Sequence, residues 1–282
     1  MSETLETRRP LGRSALMVPR IALGCGNFGG VGSAPEFFGQ GLSEDQAFEL
    51  MDAAWEFGLT HFDTADAYGG GRSERAIGRW IASRGVRPQL TTKTYNPMQA
   101  GADHGLRPER IARQLRMSLE RLGVDQVELY LAHEFDPDVP LAESFGALDQ
   151  AQAGGTIGAY GVSNFGAAQL TAALAAGAPQ AIQNSYSLLT RQDERDLLTL
   201  CAERRVAYLA FGPLAGLEIV EALVDEPALA GYHRLPSVRA DLLHKLGRFN
   251  EARSEFARAA SLTQNSKERD MLLARAQECG QD

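Results

Sequence analysis

The sequence is poor in cysteine. Its three, Cys25, Cys201 and Cys279, lie too far apart to suggest a disulfide framework or a CxxC metal site, so a reducing compartment is the expectation. No apolar run approaches the roughly 20 residues that a membrane helix needs. The opening MSETLETRRP has no apolar stretch of the secretion-signal kind. A basic excess is also missing: 28 Lys+Arg against 36 Asp+Glu leave a net charge of −8, which argues against nucleic acid as a partner. His61, His104, His233 and His244 have no metal-type spacing, and HEFDP (133–137) lacks the second histidine of a zincin helix, so no metal is expected. With 44% hydrophobic residues the 282-residue chain can bury an ordinary core. The expectation is a cytoplasmic globular protein with neither a membrane nor a nucleic-acid partner.

What is present is a rhythm. Short β-rich runs begin near Ile21, His61, Leu90, Val127, Ala159, Ala181 and Val206, and each interval leaves room for one helix. From Ser43, a cap-type residue, apolar side chains fall at Ala47, Leu50, Met51 and Ala54, the stripe of a helix covering a sheet. Residues 107–122 repeat the pattern with Ile111, Leu115, Leu119 and Leu122. Apolar strands alternating with helices imply a parallel sheet covered on both faces. Seven such runs favour an α/β fold of the (β/α)₈ barrel type over an open sheet. Gly24, Gly26 and Gly29 fit the dinucleotide fingerprint GxGxxG, but the GGVGSAPEFFGQG that follows cannot open a helix. They are expected to form a loop over the barrel mouth.

Four polar residues fall at or just beyond the C-terminal ends of consecutive strands: Asp63, Tyr68, Lys93 and His133. In a parallel barrel those ends share one mouth, where catalytic loops gather. Singly, Asp63 reads as a helix cap, Lys93 as a solvated strand end and His133 as a structural histidine. Together they suit proton donation to a carbonyl. A phenol is a poor acid near neutrality. An ammonium beside it is expected to lower its pKa, a carboxylate to hold that ammonium, and the imidazole to orient a substrate oxygen.

GLTHFDTADAYG (58–69) closely resembles the signature of the aldo-keto reductase family, and LTTKT, DQVELYLAH, IGAYGVSNF, AIQNSYSLL and AYLAFGPLAG follow in that family's order over about residues 8–217. The resemblance implies a barrel that reduces aldehydes or ketones with a nicotinamide cofactor, NADPH or alternatively NADH. It implies Tyr68 as general acid, Asp63 and Lys93 as its tuning partners and His133 as the group orienting the carbonyl. Ser163, Asn164 and Gln183 are implied to bind the nicotinamide carboxamide. Phe211, Gly212, Pro213 and Leu214 complete the implied cofactor set, although Phe211-Gly212 replaces the family's usual Tyr-Ser.

Past Leu217 nothing resembles the family's last βα unit, which usually carries the cofactor's phosphates. The expected barrel is therefore incomplete, with seven strands and two unpaired sheet edges. Domains are expected at 1–225 and 226–282. Pro227 to Asp282 carries nine Lys+Arg against seven Asp+Glu, so the tail is +2 and the rest −10. Leu242 to Ala259 resembles the second half of a tetratricopeptide repeat, with Gly247 at the turn and Ala252, Phe256 and Ala259 at packing positions. Residues 230–276 also resemble the helical end of certain bacterial extracytoplasmic-function sigma factors. Arg239, Lys245, Arg248, Arg253 and Arg258 read as a solvated helix face. Two functions stand at this point: a carbonyl reductase acting on a small molecule, and a catalytically impaired barrel that associates through its tail. A homodimer covering the open edge is a third arrangement.

Overall fold

The computed structural model describes residues 8–187, 190–212, 223–224, 227–245 and 248–279. Two compact units emerge: Met1–Ser185 with Gln192–Phe211, and Tyr186–Arg191 with Gly212–Asp282.

The first unit starts with an antiparallel hairpin, β1 (Arg8–Pro10) against β2 (Met17–Pro19). Seven parallel strands follow in chain order: β3 (Leu23–Gly24), β4 (His61–Asp63), β5 (Gln89–Thr94), β6 (Val127–Ala132), β7 (Ile157–Ser163), β8 (Ala181–Ser185) and β9 (Ala207–Phe211). Each of the seven expected runs contains one. Helices connect them: α1 (Glu44–Glu56), α2 (Arg72–Arg84), α3 (Pro108–Leu122), α4 (Leu141–Ala153), α5 (Ala167–Ala176) and α6 (Leu197–Arg204). The sheet curls strongly. Gln183 of β8 donates to Asp63 of β4 over 2.8 Å, although three strands lie between them in the sheet.

Local chemistry sets these boundaries. Ser43 and Gln46 close a reciprocal capping box at the start of α1, satisfying two N–H groups that the helix itself cannot. Pro108 opens α3, where its missing N–H costs nothing, and Gly123 ends it at a φ of +66°. Of the expected faces, Ala47, Met51 and Ala54 on α1 and Ile111, Leu115 and Leu122 on α3 are buried, while Leu50 and Leu119 are half-buried. Leu129 and Leu131 turn into the curl with Ala159 and Ala181, and Leu11 and Val18 of the hairpin pack onto them. The intervening residues face the helices: Tyr160 meets Phe145 of α4 with ring centroids 5.6 Å apart. Phe62 and Ile77 are fully buried, contributing about 1.5–3 kcal/mol each. The glycines after β3 form a loop, and the first α-helix beyond them starts only at Glu44.

The second unit contains α7 (Arg234–Lys245), α8 (Phe249–Leu262) and α9 (Ser266–Glu278). Ala252, Phe256 and Ala259, the expected packing positions, are fully buried with Ala240, Leu243 and Leu272. The expected turn residue Gly247 lies outside the described residues. Arg239 departs from the expected solvated face: it is partly buried and donates to Glu255 over 2.9 Å.

Candidate active site

The strand ends of the first unit bring Asp63, Tyr68, Lys93 and His133 together. Parallel pairing places Gly24 beside Asp63, Thr91 beside Asp63, and Lys93 beside Leu131, so these ends face one mouth. Strand alternation turns Lys93 inward between Thr92 and Thr94, which face the other way. The Lys93 ammonium, fully buried, donates to Asp63 Oδ1 at 2.5 Å and to the Thr64 carbonyl at 2.7 Å. It also reaches the Tyr68 hydroxyl at 3.4 Å. An amide also holds the carboxylate by its other oxygen, for Gln183 Nε2 donates to Asp63 Oδ2.

Tyr68 opens a tight turn, Tyr68–Gly70, whose next residue Gly69 has a φ of +56°. A Cβ at Gly69 would lie 2.7 Å from the Gly29 carbonyl oxygen, so only glycine lets the two loops meet there. The Tyr68 ring stands edge-on to His133, with centroids 5.6 Å apart. His133 is pinned through its backbone: its N–H donates to the Thr94 carbonyl at 2.9 Å, and its carbonyl accepts from Asn164 Nδ2 at 3.0 Å.

Electrostatics correct one expectation. Burial raises the Tyr68 pKa, and the opposing pull of Lys93 does not overcome it, so the phenol sits above its ordinary value rather than below. Burial works against the Lys93 ammonium too, but the Asp63 carboxylate and the Tyr68 phenol outweigh it and hold Lys93 above its usual range. His133 is pushed down to about 3 by burial and then by Lys93, so its ring is neutral near pH 7. The site holds a protonated phenol, a charged amine and an uncharged imidazole.

Of the residues implied to meet a nicotinamide, Ser163 ends β7 and Asn164 follows it, Gln183 lies on β8 and Phe211 ends β9. Ser163 Oγ donates to the Gln183 carbonyl at 2.8 Å, and Asn164 reaches both the His133 carbonyl and Glu134 Oε1, the latter at 2.8 Å. Asn164 takes a left-handed backbone, φ +59°, which asparagine tolerates better than most residues. Phe211 ends β9 with 41% of its surface exposed, and the next residue, Gly212, belongs to the second unit. Pro213 and Leu214 lie outside the described residues. A hydroxyl, two carboxamides and an exposed ring are uncharged donors, acceptors and a stacking face, a set that fits a nicotinamide amide.

Behind this set lies a further layer of polar residues that no sequence motif marks. Asp66 is fully buried and accepts from Thr94 Oγ1 at 2.7 Å. Arg110 donates to the same Thr94 oxygen at 2.8 Å and to the Asn96 carbonyl at 2.8 Å. Asn96 Nδ2 in turn lies 3.3 Å from His133 Nδ1. Thr92 and Thr94, alternating with Lys93, were the only hint of it.

The sequence matches the Aldo/keto reductase family over residues 20–267, well past the Leu217 limit read from the motifs. The chain belongs to the aldo/keto reductase family. It is 34% identical over 224 residues to the uncharacterized oxidoreductase YrpG of Bacillus subtilis, covering 73% of this chain and 66% of that one. Identity to the aldo-keto reductase yakc [NADP(+)] of Schizosaccharomyces pombe is 30%, covering 70% of this chain and 58% of that one. The chain thus spans somewhat under two thirds of the length of these relatives. A crystal structure of the thermostable aldo-keto reductase Tm1743, in complex with the inhibitor epalrestat, superposes with a TM-score of 0.65 at 29% identity. It covers 95% of this chain and 99% of that one. Among the described residues no helix is long and apolar enough to cross a membrane.

Proposed function

We propose that this family member reduces an aldehyde or ketone, with Tyr68 as the proton donor and NADPH as the reductant. The observation that carries the reading is the buried Lys93 ammonium, in contact with both the Asp63 carboxylate and the Tyr68 hydroxyl beside a neutral imidazole. When bound, a reduced nicotinamide supplies a hydride to the carbonyl carbon. Ser163, Asn164 and Gln183 would hold its carboxamide, and Phe211 would stack on the ring. The Tyr68 hydroxyl would give its proton to the carbonyl oxygen, so that carbonyl, hydride and proton together become an alcohol and the phenol becomes a phenolate. Lys93 stabilises that phenolate, and Asp63 keeps Lys93 charged and in place. His133 donates a hydrogen bond that orients the oxygen. NADPH rather than NADH is favoured because yakc bears NADP(+) in its name.

Positioned acid catalysis contributes about 10²–10⁴-fold. Tyr68→Phe is therefore expected to lower kcat at least a hundredfold with the far-ultraviolet dichroism unchanged. Retention of more than about a tenth of the rate contradicts the role of Tyr68.

Two observations favour a second reading, a barrel that binds cofactor weakly and associates through its helical tail. Asn164 and Gln183 both spend an amide N–H on the protein itself, and the tail has its own apolar core. Fluorescence titration with NADPH separates the two. Micromolar saturation excludes the second reading, and no saturation at millimolar concentration excludes the first.

A further inference from the structure

We infer that Asn96 is a positioning residue that places the single proton of His133 on Nε2. The nitrogen of a carboxamide carries hydrogens and has no lone pair to offer, so it only donates. Asn96 Nδ2 lies 3.3 Å from His133 Nδ1, and that contact requires Nδ1 to accept and to carry no hydrogen. The ring is neutral near pH 7 and holds one proton, which is left to Nε2.

The two partners are held so that the contact persists. The His133 backbone is tied on both sides, to Thr94 and to Asn164. Asn96 is anchored by its own carbonyl, which accepts from Arg110 Nη2 at 2.8 Å. Arg110, only 2% exposed, is locked in turn by Thr94 Oγ1 and the Gly105 carbonyl at 2.8 and 3.1 Å. A chain of donors thus runs from a buried guanidinium to the imidazole, and its last member selects the tautomer.

The tautomer matters because a carbonyl oxygen only accepts. With the proton on Nε2 the ring can donate from that nitrogen; with it on Nδ1, Nε2 becomes an acceptor and repels the oxygen. This consequence rests on the carbonyl-reductase reading, whereas the tautomer itself does not.

The test labels the histidines of the full chain with ¹⁵N and records two-bond ¹H–¹⁵N correlations above neutral pH, with the His133 signals assigned by their loss in His133→Gln. The expected spectrum shows a protonated Nε2 and an unprotonated Nδ1. A proton on Nδ1, or one averaged between the nitrogens, overturns the inference. Asn96→Asp offers a carboxylate that only accepts, so the proton is expected to move to Nδ1 and kcat to fall at least about tenfold. A reversed spectrum with kcat unchanged removes Asn96 from the positioning role. If the wild-type spectrum is as expected but no carbonyl is reduced with NADPH, the reductase reading fails and the tautomer assignment stands.

Discussion

The two units bury different things. The core of the helical unit is made of alanines, leucines, Phe256 and Cys279, and its ion pairs lie around that core: Arg239 and Arg258 meet the buried Glu255, and Arg275 meets Asp241. The strand unit buries charge. Lys93 and Glu74 are fully covered and Arg110 nearly so, each with hydrogen-bond partners. Burying a charge costs free energy unless it is paired, and a paired buried charge is weak grounds for stability. The helical unit also covers a paired carboxylate, Glu255, but at its edge and away from any strand end. In the barrel, the charges are retained where strand ends converge and where the proposed chemistry needs a cation beside a phenol.

Breaking a pair and opening a cavity should therefore produce different failures. Lys93→Met leaves the Asp63 carboxylate without its cation. It is expected to lower the stability of the strand unit by about 3–5 kcal/mol, read as faster amide exchange in β5, and to abolish turnover. A loss below about 1 kcal/mol would show that Gln183 and solvent suffice for Asp63. Phe256→Ala in the tail is expected to cost about 3 kcal/mol or more through the cavity it leaves, with amide exchange rising in α8.

A subtler contrast lies in pH. Burial lifts Asp66 to about 7, so the unfolded chain loses this proton first and folding stability falls as pH rises from about 4 to 7. His61 and His133 are pushed down to about 4 and about 3, and they act the other way. Their contribution is complete above about pH 6.5 and is lost as pH drops toward those values. Asp66→Asn should remove only the first effect. The stability of the variant relative to wild type is expected to increase between about pH 4 and 7 in urea titrations. A constant difference would mean that Asp66 is already ionised across that range. The smallest effect is expected at the surface, where Arg116 and Glu120 stand 3.9 Å apart and mostly exposed. Arg116→Gln should change stability by less than about 0.5 kcal/mol, measured by the same titration.

The architecture was legible because it rests on local periodicity. Runs of β-branched and aromatic residues separated by amphipathic stretches can bury their faces in few ways, and the seven strands lie in those runs. Asp63, Lys93 and His133 were legible as a group because parallel strands must bring their C-terminal ends to one rim. Tyr68 was legible with them because it follows Asp63 by five residues, just beyond the end of β4. The Asp66, Thr94, Arg110 and Asn96 layer was not legible. Threonines on a strand read equally well as solvated, and which distant arginine reaches them depends on helix placement. The direction of the Tyr68 shift was misjudged for a related reason: the sequence shows that an ammonium is near but not how far water is excluded.

By itself, then, the order of residues determined which segments become strands and helices and which polar groups gather at their ends, because both follow from spacing along one chain. Tertiary structure alone decided which nitrogen faces which oxygen, that Gln183 grips Asp63 and that Asn96 faces His133. Hydrogen bonds are short and directional, and whether two side chains meet across a curled sheet is fixed by how far it curls.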